Sequence, residues 1–376
     1  MNFSHPEERQ QFKDMAARFI ADKYALADRL KAAAGESGFS AERWSDFAEL
    51  GLVGALFGEA DGGFGGAPFD IAVLFEELGR GLVNEPFLPN LMAGSLIAAL
   101  GSDDQKALIA DVVAGSRQLS LAHGEPQSRY DAEMVETRAE QIASGWRLSG
   151  HKSVVINGAA ADHLVVSARM SGEAWDQEGI ALFLVPADAA GVSRTGYSSI
   201  DGLGAAEIRL DNVDLPAESA LGSPGKAWPA LEKVLALGCL ALSAEAIGLM
   251  EKCRDLTIDY LKTRKQFGVE IGKFQALQHR MATVLLEIEQ ARSSVINAAG
   301  RFDGTRKERE MAASAAKSMV GRIGKLVAEE AIQMHGGIAM TWEYAVGHFA
   351  KRLIMIDSQL GDVDHHLARY IALSRG

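Results

Sequence analysis

Cysteine, long apolar runs and nucleotide-binding glycine motifs are all scarce or missing in this chain of 376 residues. Its two cysteines, Cys239 and Cys253, both lie in one predicted helix. Fourteen residues of helix separate them by about 21 Å, which is too far for a disulfide bond. We therefore expect a reduced protein of the cytoplasm, where structural disulfides are rare.

Features of membrane and secreted proteins are also missing. We find no run of about 18 apolar residues, so we expect no membrane span. The first residues, MNFSHPEERQQFKDM, are polar and charged, unlike a signal peptide. A net charge of −12 argues against general nucleic-acid binding. The composition therefore predicts a soluble protein that binds neither nucleic acid nor membrane.

Common ligand motifs are missing as well. The chain has no G-x-G-x-x-G and no Walker-A pattern. The glycine-rich stretch EADGGFGGAP could cradle a phosphate, but we interpret it as a turn between helices. His365 and His366 are adjacent, so on a helix they point about 100° apart, and no cluster with ligand spacing accompanies them. We expect no metal site.

The order of predicted elements indicates the fold class. Helical periodicity fills the first 115 residues or so, and short β-rich runs such as HLVVSAR and IALFLVP then continue to about Gly222. The remainder is helical. Because strands and helices do not alternate, we predict an α+β protein with a helical domain (1–116), an antiparallel β-domain (117–223) and a helical bundle like a four-helix bundle (224–376).

The stretch from Ala227 to about Val295 predicts two long helices joined by the turn-rich segment GVEIG. On the first helix an apolar stripe recurs every three or four residues, and a single carboxylate, Glu245, interrupts it. Burying an unpaired carboxylate costs several kcal/mol. Glu245 is therefore either paired with a cation from another helix or functional. Arg264 ends the same helix, where it could simply answer the helix dipole.

Several segments resemble the acyl-CoA dehydrogenase family over the whole chain. The most specific are YLKTRKQFGVEIGKFQALQHRMA and QMHGGIAMTWEYAVGHFAKR, in the predicted bundle. LGLVGALFGEADGGFGG, the GEP tripeptide (124–126) and SGHKSVVING provide further matches. The resemblance implies an FAD-dependent α,β-dehydrogenation of an acyl-CoA in lipid metabolism, with electrons passed to an electron-transferring flavoprotein. It also implies a tetramer, built as a dimer of dimers, with FAD at a subunit interface.

The same resemblance implies which residues bind the cofactor. The matching positions on the helical side, which would reach the ADP half of a neighbour's FAD, are Arg264, Gln266, Phe267, Gln275, Gln333, Gly336 and Gly337. The flavin-facing positions of the β-domain are Val155 and Ile156. An arginine suits a pyrophosphate because its planar fork stays charged, and glycines let the backbone approach a ligand closely.

The family's reaction needs a glutamate that removes the α-proton, and both of its usual positions are empty here. One position corresponds to Leu360 and the other, 26 residues before Arg264, to Gly238. Glu245 lies seven residues after Gly238, two turns along nearly the same face. The resemblance therefore makes Glu245 the candidate catalytic base. Asp362 and Asp364 are runners-up, although capping of the last helix explains them better.

Other departures from the family pattern affect the flavin seat. GEPQSRYD lacks the threonine, glycine and serine expected there, and Val154 replaces the stacking tryptophan. These losses lie in the half that would hold the chain's own flavin ring. An alternative function is therefore a non-catalytic subunit of a heteromer, like the small subunits of pimeloyl-CoA dehydrogenases. A third alternative is a flavin-dependent monooxygenase or nitroalkane-type oxidase, which would consume oxygen without reduction by acyl-CoA.

Overall fold

The computed structural model describes residues 6–35 and 37–375, and within them helices come first, strands second and helices last. The predicted α+β class is therefore confirmed. The first helices are α1 (Glu7–Lys23), α2 (Leu26–Ala33), α3 (Ala41–Glu49), α4 (Pro68–Gly81), α5 (Phe87–Leu100) and α6 (Asp103–Val113). The later helices are α7 (Trp228–Thr263), α8 (Gln275–Arg301), α9 (Arg306–His335), α10 (Ala345–Ser358) and α11 (Val363–Arg375).

The chain divides into two units that cut across this order. The helical unit comprises residues 1–28, 68–83 and 239–376, and the β-unit comprises residues 29–67 and 84–238. Each unit is assembled from separate stretches of sequence, and the division on α7 falls between Gly238 and Cys239. The three contiguous domains proposed from the sequence stay a prediction.

The strands of the β-unit form one mainly antiparallel sheet. They are β1 (Leu119–Ala122), β2 (Arg138–Ile142), β3 (Gly145–Ile156), β4 (His163–Arg169), β5 (Ile180–Pro186), β6 (Val192–Ser198), β7 (Gly204–Leu215) and β8 (Ala220–Leu221). The strand order is β6-β7-β3-β2-β4-β5-β8, and β1 pairs with β4. The pairings β1–β4 and β2–β4 are parallel, which the sequence pattern did not indicate.

Inside the β-unit, alternating apolar residues of β3, β4, β5 and β7 meet in one buried core. Helix α5 is joined to this sheet by a buried amide. Asn90 donates to the carbonyl of Pro86 at 2.8 Å and accepts from the backbone N–H of Leu119 at 2.8 Å. Because the amide satisfies groups of both elements, it fixes α5 against the start of β1.

Helix α7 is buried on all sides along its middle third, rather than along the single stripe that its periodicity predicts. An 18-residue window of α7 has a mean hydropathy of 1.7, enough by length and composition to cross a membrane. That window is 94% buried inside the protein, as in the core helix of a soluble protein. Glu245 interrupts the apolar residues of this window, so it is not the continuous apolar run sought in the sequence.

Cys239 and Cys253 lie on this helix, and both are buried and free, as their spacing predicts. Burial raises the pKa of the Cys239 thiol to about 11 and that of Cys253 to about 12. Thiols with such values are almost entirely protonated at neutral pH and react slowly.

Two glycines allow α4 to cross α7 within the helical unit. A Cβ on Gly79 would overlap the carbonyl oxygen of Glu245, and a Cβ on Gly248 would overlap the carbonyl oxygen of Glu76. The two backbones are thus in direct contact where they cross. This crossing fixes the backbone of α7 at Glu245.

The N-terminus of α9 is fixed by residues that are close together in sequence. Thr305 accepts a hydrogen bond from the backbone N–H of Glu308, and the Glu308 side chain accepts one from the N–H of Thr305 at 2.9 Å. This reciprocal capping box satisfies two N–H groups that a helix end leaves without partners. It starts α9 directly after the turn that follows α8.

Gly248→Ala tests the close crossing of α4 and α7. The added methyl group forces the helices apart, so we expect the free energy of unfolding to fall by about 3 kcal/mol. Gly300→Ala is the control, since the nearest atom to its Cβ is a ring carbon of Phe69 at 3.8 Å. Alanine there should stabilise α8 by about 0.5–1 kcal/mol. Equal unfolding midpoints in urea for the two variants would contradict the crossing.

Candidate active site

Glu245, the carboxylate in the middle of α7, is 7% exposed and forms an ion pair with Arg352 of α10. Nε of Arg352 donates to Oε1 of Glu245 at 2.6 Å, and Nη2 donates to Oε2 at 2.8 Å. The arginine itself is 3% exposed. The ion-pair interpretation of Glu245 therefore describes its surroundings, whereas its role as a base stays a prediction.

This two-pronged pairing has electrostatic consequences. A guanidinium and a carboxylate that share two parallel hydrogen bonds are among the strongest charge pairs in proteins. Removing one partner from a buried pair commonly costs about 3–5 kcal/mol, because the other charge is left without compensation. The Nη1 group of Arg352 donates to Oε1 of Gln359 at 2.9 Å, just after α10 ends. Arg352 thus connects Glu245 to the turn between α10 and α11.

Leu360, one of the empty base positions, lies in that turn with a left-handed φ of 57°. The buried ammonium of Lys317 donates to the carbonyls of Gly361 at 2.6 Å and Asp357 at 3.0 Å. The ring of His366 contacts the carbonyl of Leu360 at 2.9 Å. Burial lowers the pKa of Lys317 to about 8. These hydrogen bonds fix the turn that corresponds to the family's usual base position. In this chain the residue at that position is Leu360, which has no carboxylate.

Asp362, a runner-up for the base, caps α11. Its Oδ1 accepts the backbone N–H of His365 at 2.9 Å. This is the capping role that the sequence favours for it. Asp364 is exposed in the first turn of α11.

The cofactor candidates of the helical unit share one property, which is exposure. The candidates are Arg264, Gln266, Phe267, Gln275, Gln333, Gly336 and Gly337. Arg264, Gln266 and Phe267 lie in or beside a hairpin of two short strands, β9 (Lys265–Gln266) and β10 (Val269–Glu270). The turn of this hairpin leaves Phe267 92% exposed with a φ of 54°. Such exposure suits residues that reach a group held by another chain.

The chemistry of this surface fits the anionic half of FAD. Within residues 6–35 and 37–375, the guanidinium of Arg264 forms no ion pair, so it is available to a phosphate. A Cβ built on Gly336 or Gly337 would meet no atom within 4 Å, and the φ of Gly336 is 69°. The backbone there is open to close approach by a ligand.

The stretch of the β-unit that the resemblance assigns to the flavin fits this role less well. Val155 lies in the buried core, Ile156 is half-buried, and Val154 is 58% exposed with a left-handed φ of 53°. The β3–β7 pairing shifts register between Lys152 and Val155. The side chain that faces outward at this bulge is therefore Val154, and the bulge removes Val155 from any ligand surface.

The carboxylate of Glu207 on β7 accepts hydrogen bonds from polar groups at this bulge. It accepts hydrogen bonds from Ser153 Oγ at 3.0 Å, Tyr197 Oη at 3.0 Å and the backbone N–H of Val154 at 3.2 Å. Nε2 of His151 lies 2.7 Å from its other oxygen. A hydroxyl and a backbone N–H at this stretch are thus already satisfied within the chain.

Behind the bulge, Lys152 is fully buried and points into the β-unit. Its ammonium donates to Glu125 at 2.6 Å, Ser167 at 3.0 Å and the carbonyl of His123 at 3.2 Å. Burial lowers the pKa of Lys152 to about 8, although Glu125 opposes this shift. Burial alone would raise the pKa of Glu125, but Lys152, Thr137 and the N–H of Glu136 lower it to about 2.

Sequence reasoning missed Arg352, Glu207 and the Lys152–Glu125 pair. A signal existed for Arg352, because AKR interrupts the apolar residues of α10. Lys152 and Glu125 lie within GHKS and GEP, the segments that carry the family resemblance. Their pairing is a contact between residues 27 positions apart and leaves no local pattern.

Glu125→Gln tests the buried pair. Because the folded-state pKa of Glu125 lies below its ordinary value of 4.5, its stabilisation is present above that pH and is lost as the pH falls towards about 2. A shift of this size corresponds to about 3 kcal/mol. We expect the variant to lose about this much free energy of unfolding at pH 7 and to show a shallower decline between pH 5 and 3, measured by urea unfolding. Exposed Glu140→Gln is the control, and a wild-type acid decline in Glu125→Gln would contradict the pairing.

Comparison with known proteins places this geometry in context. Three family models match the chain: the acyl-CoA dehydrogenase N-terminal domain at residues 6–116, the middle domain at 120–213 and the C-terminal domain at 225–356. The probable acyl-CoA dehydrogenase YngJ of Bacillus subtilis is 30% identical over 354 residues, which cover 92% of each chain. The caffeyl-CoA reductase-Etf complex subunit CarC of Acetobacterium woodii is 28% identical, with 88% of each chain covered.

Solved structures agree with the sequence matches. A variant of the Tcur3481-Tcur3483 steroid ACAD is 32% identical with a TM-score of 0.88, and 98% of each chain is covered. Butyryl-CoA dehydrogenase from Megasphaera elsdenii is 25% identical with a TM-score of 0.91 and complete coverage of both chains. Family models, relatives and fold all agree, and so the chain belongs to the acyl-CoA dehydrogenase family of flavoprotein oxidoreductases.

Proposed function

We propose that this chain catalyses FAD-dependent α,β-dehydrogenation of an acyl-CoA thioester, with Glu245 as the base. The observation that supports this most is a buried carboxylate on α7 whose two oxygens both pair with Arg352. Arg352 offers this buried carboxylate two hydrogen-bond donors and a charge of opposite sign. An ionised carboxylate in a dry environment is the form that a proton-abstracting base requires.

In the proposed reaction, the α-carbon of the thioester gives its proton to an oxygen of Glu245. The electron pair of that C–H bond forms the α,β double bond as the β-hydrogen leaves with its own electron pair. FAD, when bound, supplies the two-electron acceptor for that hydride. The chain's own contribution is to exclude water around Glu245 and to fix its backbone through the α4–α7 crossing.

The exposed residues of the helical unit would hold the cofactor's anionic half. Arg264 would supply a charged fork for the pyrophosphate. Hydrogen bonds would come from the side-chain amides of Gln266, Gln275 and Gln333, and apolar contact from Phe267. Gly336 and Gly337 allow the backbone to approach. Because all of these residues are exposed, a cofactor shared between subunits of a dimer of dimers, as a homo- or heterotetramer, fits them best.

We further propose that electrons pass to an electron-transferring flavoprotein and that the protein works in the cytoplasm. One relative is named as a subunit of an Etf complex, which supports the first proposal. Burial of the apolar window of α7 supports the second.

Glu245→Gln tests the base. We expect the purified variant to retain FAD absorbance but to lose bleaching by a panel of acyl-CoA esters, with the rate reduced by about 100-fold or more. Glu251→Gln is the matched control, because Glu251 is also buried on α7 and pairs with Arg80, Arg254 and Arg292. The control should lose stability but keep bleaching. Full bleaching by Glu245→Gln would exclude Glu245 as the base.

A second candidate function is a partner subunit that completes the FAD site of a homologous chain without catalysing the reaction. The observation that favours it is Glu207, which takes up the Ser153 hydroxyl and the Val154 N–H at the flavin-facing stretch. Arg264 and the two glycines of the helical unit would still serve the neighbour's cofactor.

Co-expression separates the two candidates. If the chain is a partner subunit, it should be flavin-poor alone and should form an FAD-containing complex with a homologous chain that carries the missing hydroxyls. The ratio of FAD to protein, measured by absorbance, decides the matter, and a fully loaded, active preparation of this chain alone would exclude the second candidate.

A further inference from the structure

We propose that Arg352 is a positioning residue that sets the orientation of the Glu245 carboxylate for proton abstraction. This inference rests on the proposed function, in which Glu245 is the base. It concerns a residue of α10 that lies 107 positions away from Glu245 in sequence.

The geometry of the pair restricts the orientation of the carboxylate. With two parallel N–H···O bonds of 2.6 and 2.8 Å, the plane of the carboxylate must follow the plane of the guanidinium. A lysine in the same place would provide a single point of charge and leave that plane free to rotate. Because the backbone of Glu245 is also fixed where Gly79 contacts it, both ends of the side chain are held.

The remaining hydrogen-bond donors of Arg352 matter when Glu245 takes up a proton. When Glu245 takes up a proton it becomes neutral, and a buried guanidinium without partners would be costly. Gln359 already accepts from Nη1 of Arg352 at 2.9 Å, so this arginine keeps a hydrogen bond throughout the reaction. The turn that contains Gln359 is held in turn by Lys317 through the carbonyls of Asp357 and Gly361. The arginine is thus anchored on the side away from Glu245.

A purely structural role is the competing explanation. Buried ion pairs contribute little net stability compared with apolar residues of similar volume, so stability alone explains the pair poorly. Elsewhere in the helical unit, the buried Glu251 pairs with Arg80, Arg254 and Arg292, whose side chains are partly exposed. An experiment must therefore separate the effect on stability from the effect on the reaction.

The charge-swapped double variant Glu245→Arg/Arg352→Glu makes this separation. It restores an ion pair between α7 and α10 but moves the carboxylate to the other helix. We expect it to recover much of the melting temperature that either single variant loses, while acyl-CoA bleaching stays at least about 100-fold below wild type. Recovery of bleaching together with stability would overturn the inference, because the pair would then serve structure alone.

Arg352→Lys covers the case in which the swapped protein does not fold. It keeps the charge and removes the fork, so we expect kcat to fall by about tenfold or more with little change in KM for the acyl-CoA. Arg80→Lys is the control, since Arg80 pairs with Glu251 on the same helix. An unchanged kcat in Arg352→Lys would overturn the inference. Failure of the proposed function would be distinguishable from this result, because the FAD-loaded wild type would then be bleached by none of the acyl-CoA esters.

Discussion

The burial of one carboxylate in the interior of α7 constrains much of the helical unit. A charge at Glu245 is tolerable only with a partner of opposite sign and good geometry, and Arg352 supplies both. That requirement fixes the rotation of α10 about its own axis, since the arginine must face α7. It also fixes the end of α10, because the third hydrogen bond of the guanidinium goes to Gln359. One ion pair thus connects the core helix to the turn before α11.

The same physical solution recurs at two buried lysines. Lys152 in the β-unit is surrounded by a carboxylate, a hydroxyl and a carbonyl, and Lys317 in the helical unit is held by two carbonyls. In each case a long side chain satisfies groups from separate stretches of sequence that would otherwise be buried without partners. Burial disfavours the charged form of the ammonium groups and lowers the pKa of both lysines to about 8. Their hydrogen bonds hold connecting segments of each unit in place and add no apolar core.

Much of the fold follows from sequence, but the site follows only in part. The change of periodicity near Leu119 and again after Gly222 marks where strands begin and end, because alternation and helical spacing are local signals. The capping box at Thr305 and Glu308 is equally local. The partner of Glu245 is not, since no rule of spacing connects α7 with a residue 107 positions later. The parallel pairing of β1 with β4 was missed for the same reason, because register between distant strands depends on the assembled core.

The departures from the family pattern acquire a physical meaning when each unit is considered by itself. In the helical unit, the residues that resemble cofactor ligands are exposed, and the glycines among them leave open space. In the β-unit, the hydroxyl and the N–H at the matching stretch already bond to Glu207, so a flavin ring would have to compete with a carboxylate for them. Displacing Glu207 would leave a partly buried carboxylate with fewer donors, which is unfavourable. Within the helical unit, the residues that the resemblance assigns to the cofactor are therefore accessible, whereas within the β-unit the donors of the matching stretch are already bonded to Glu207.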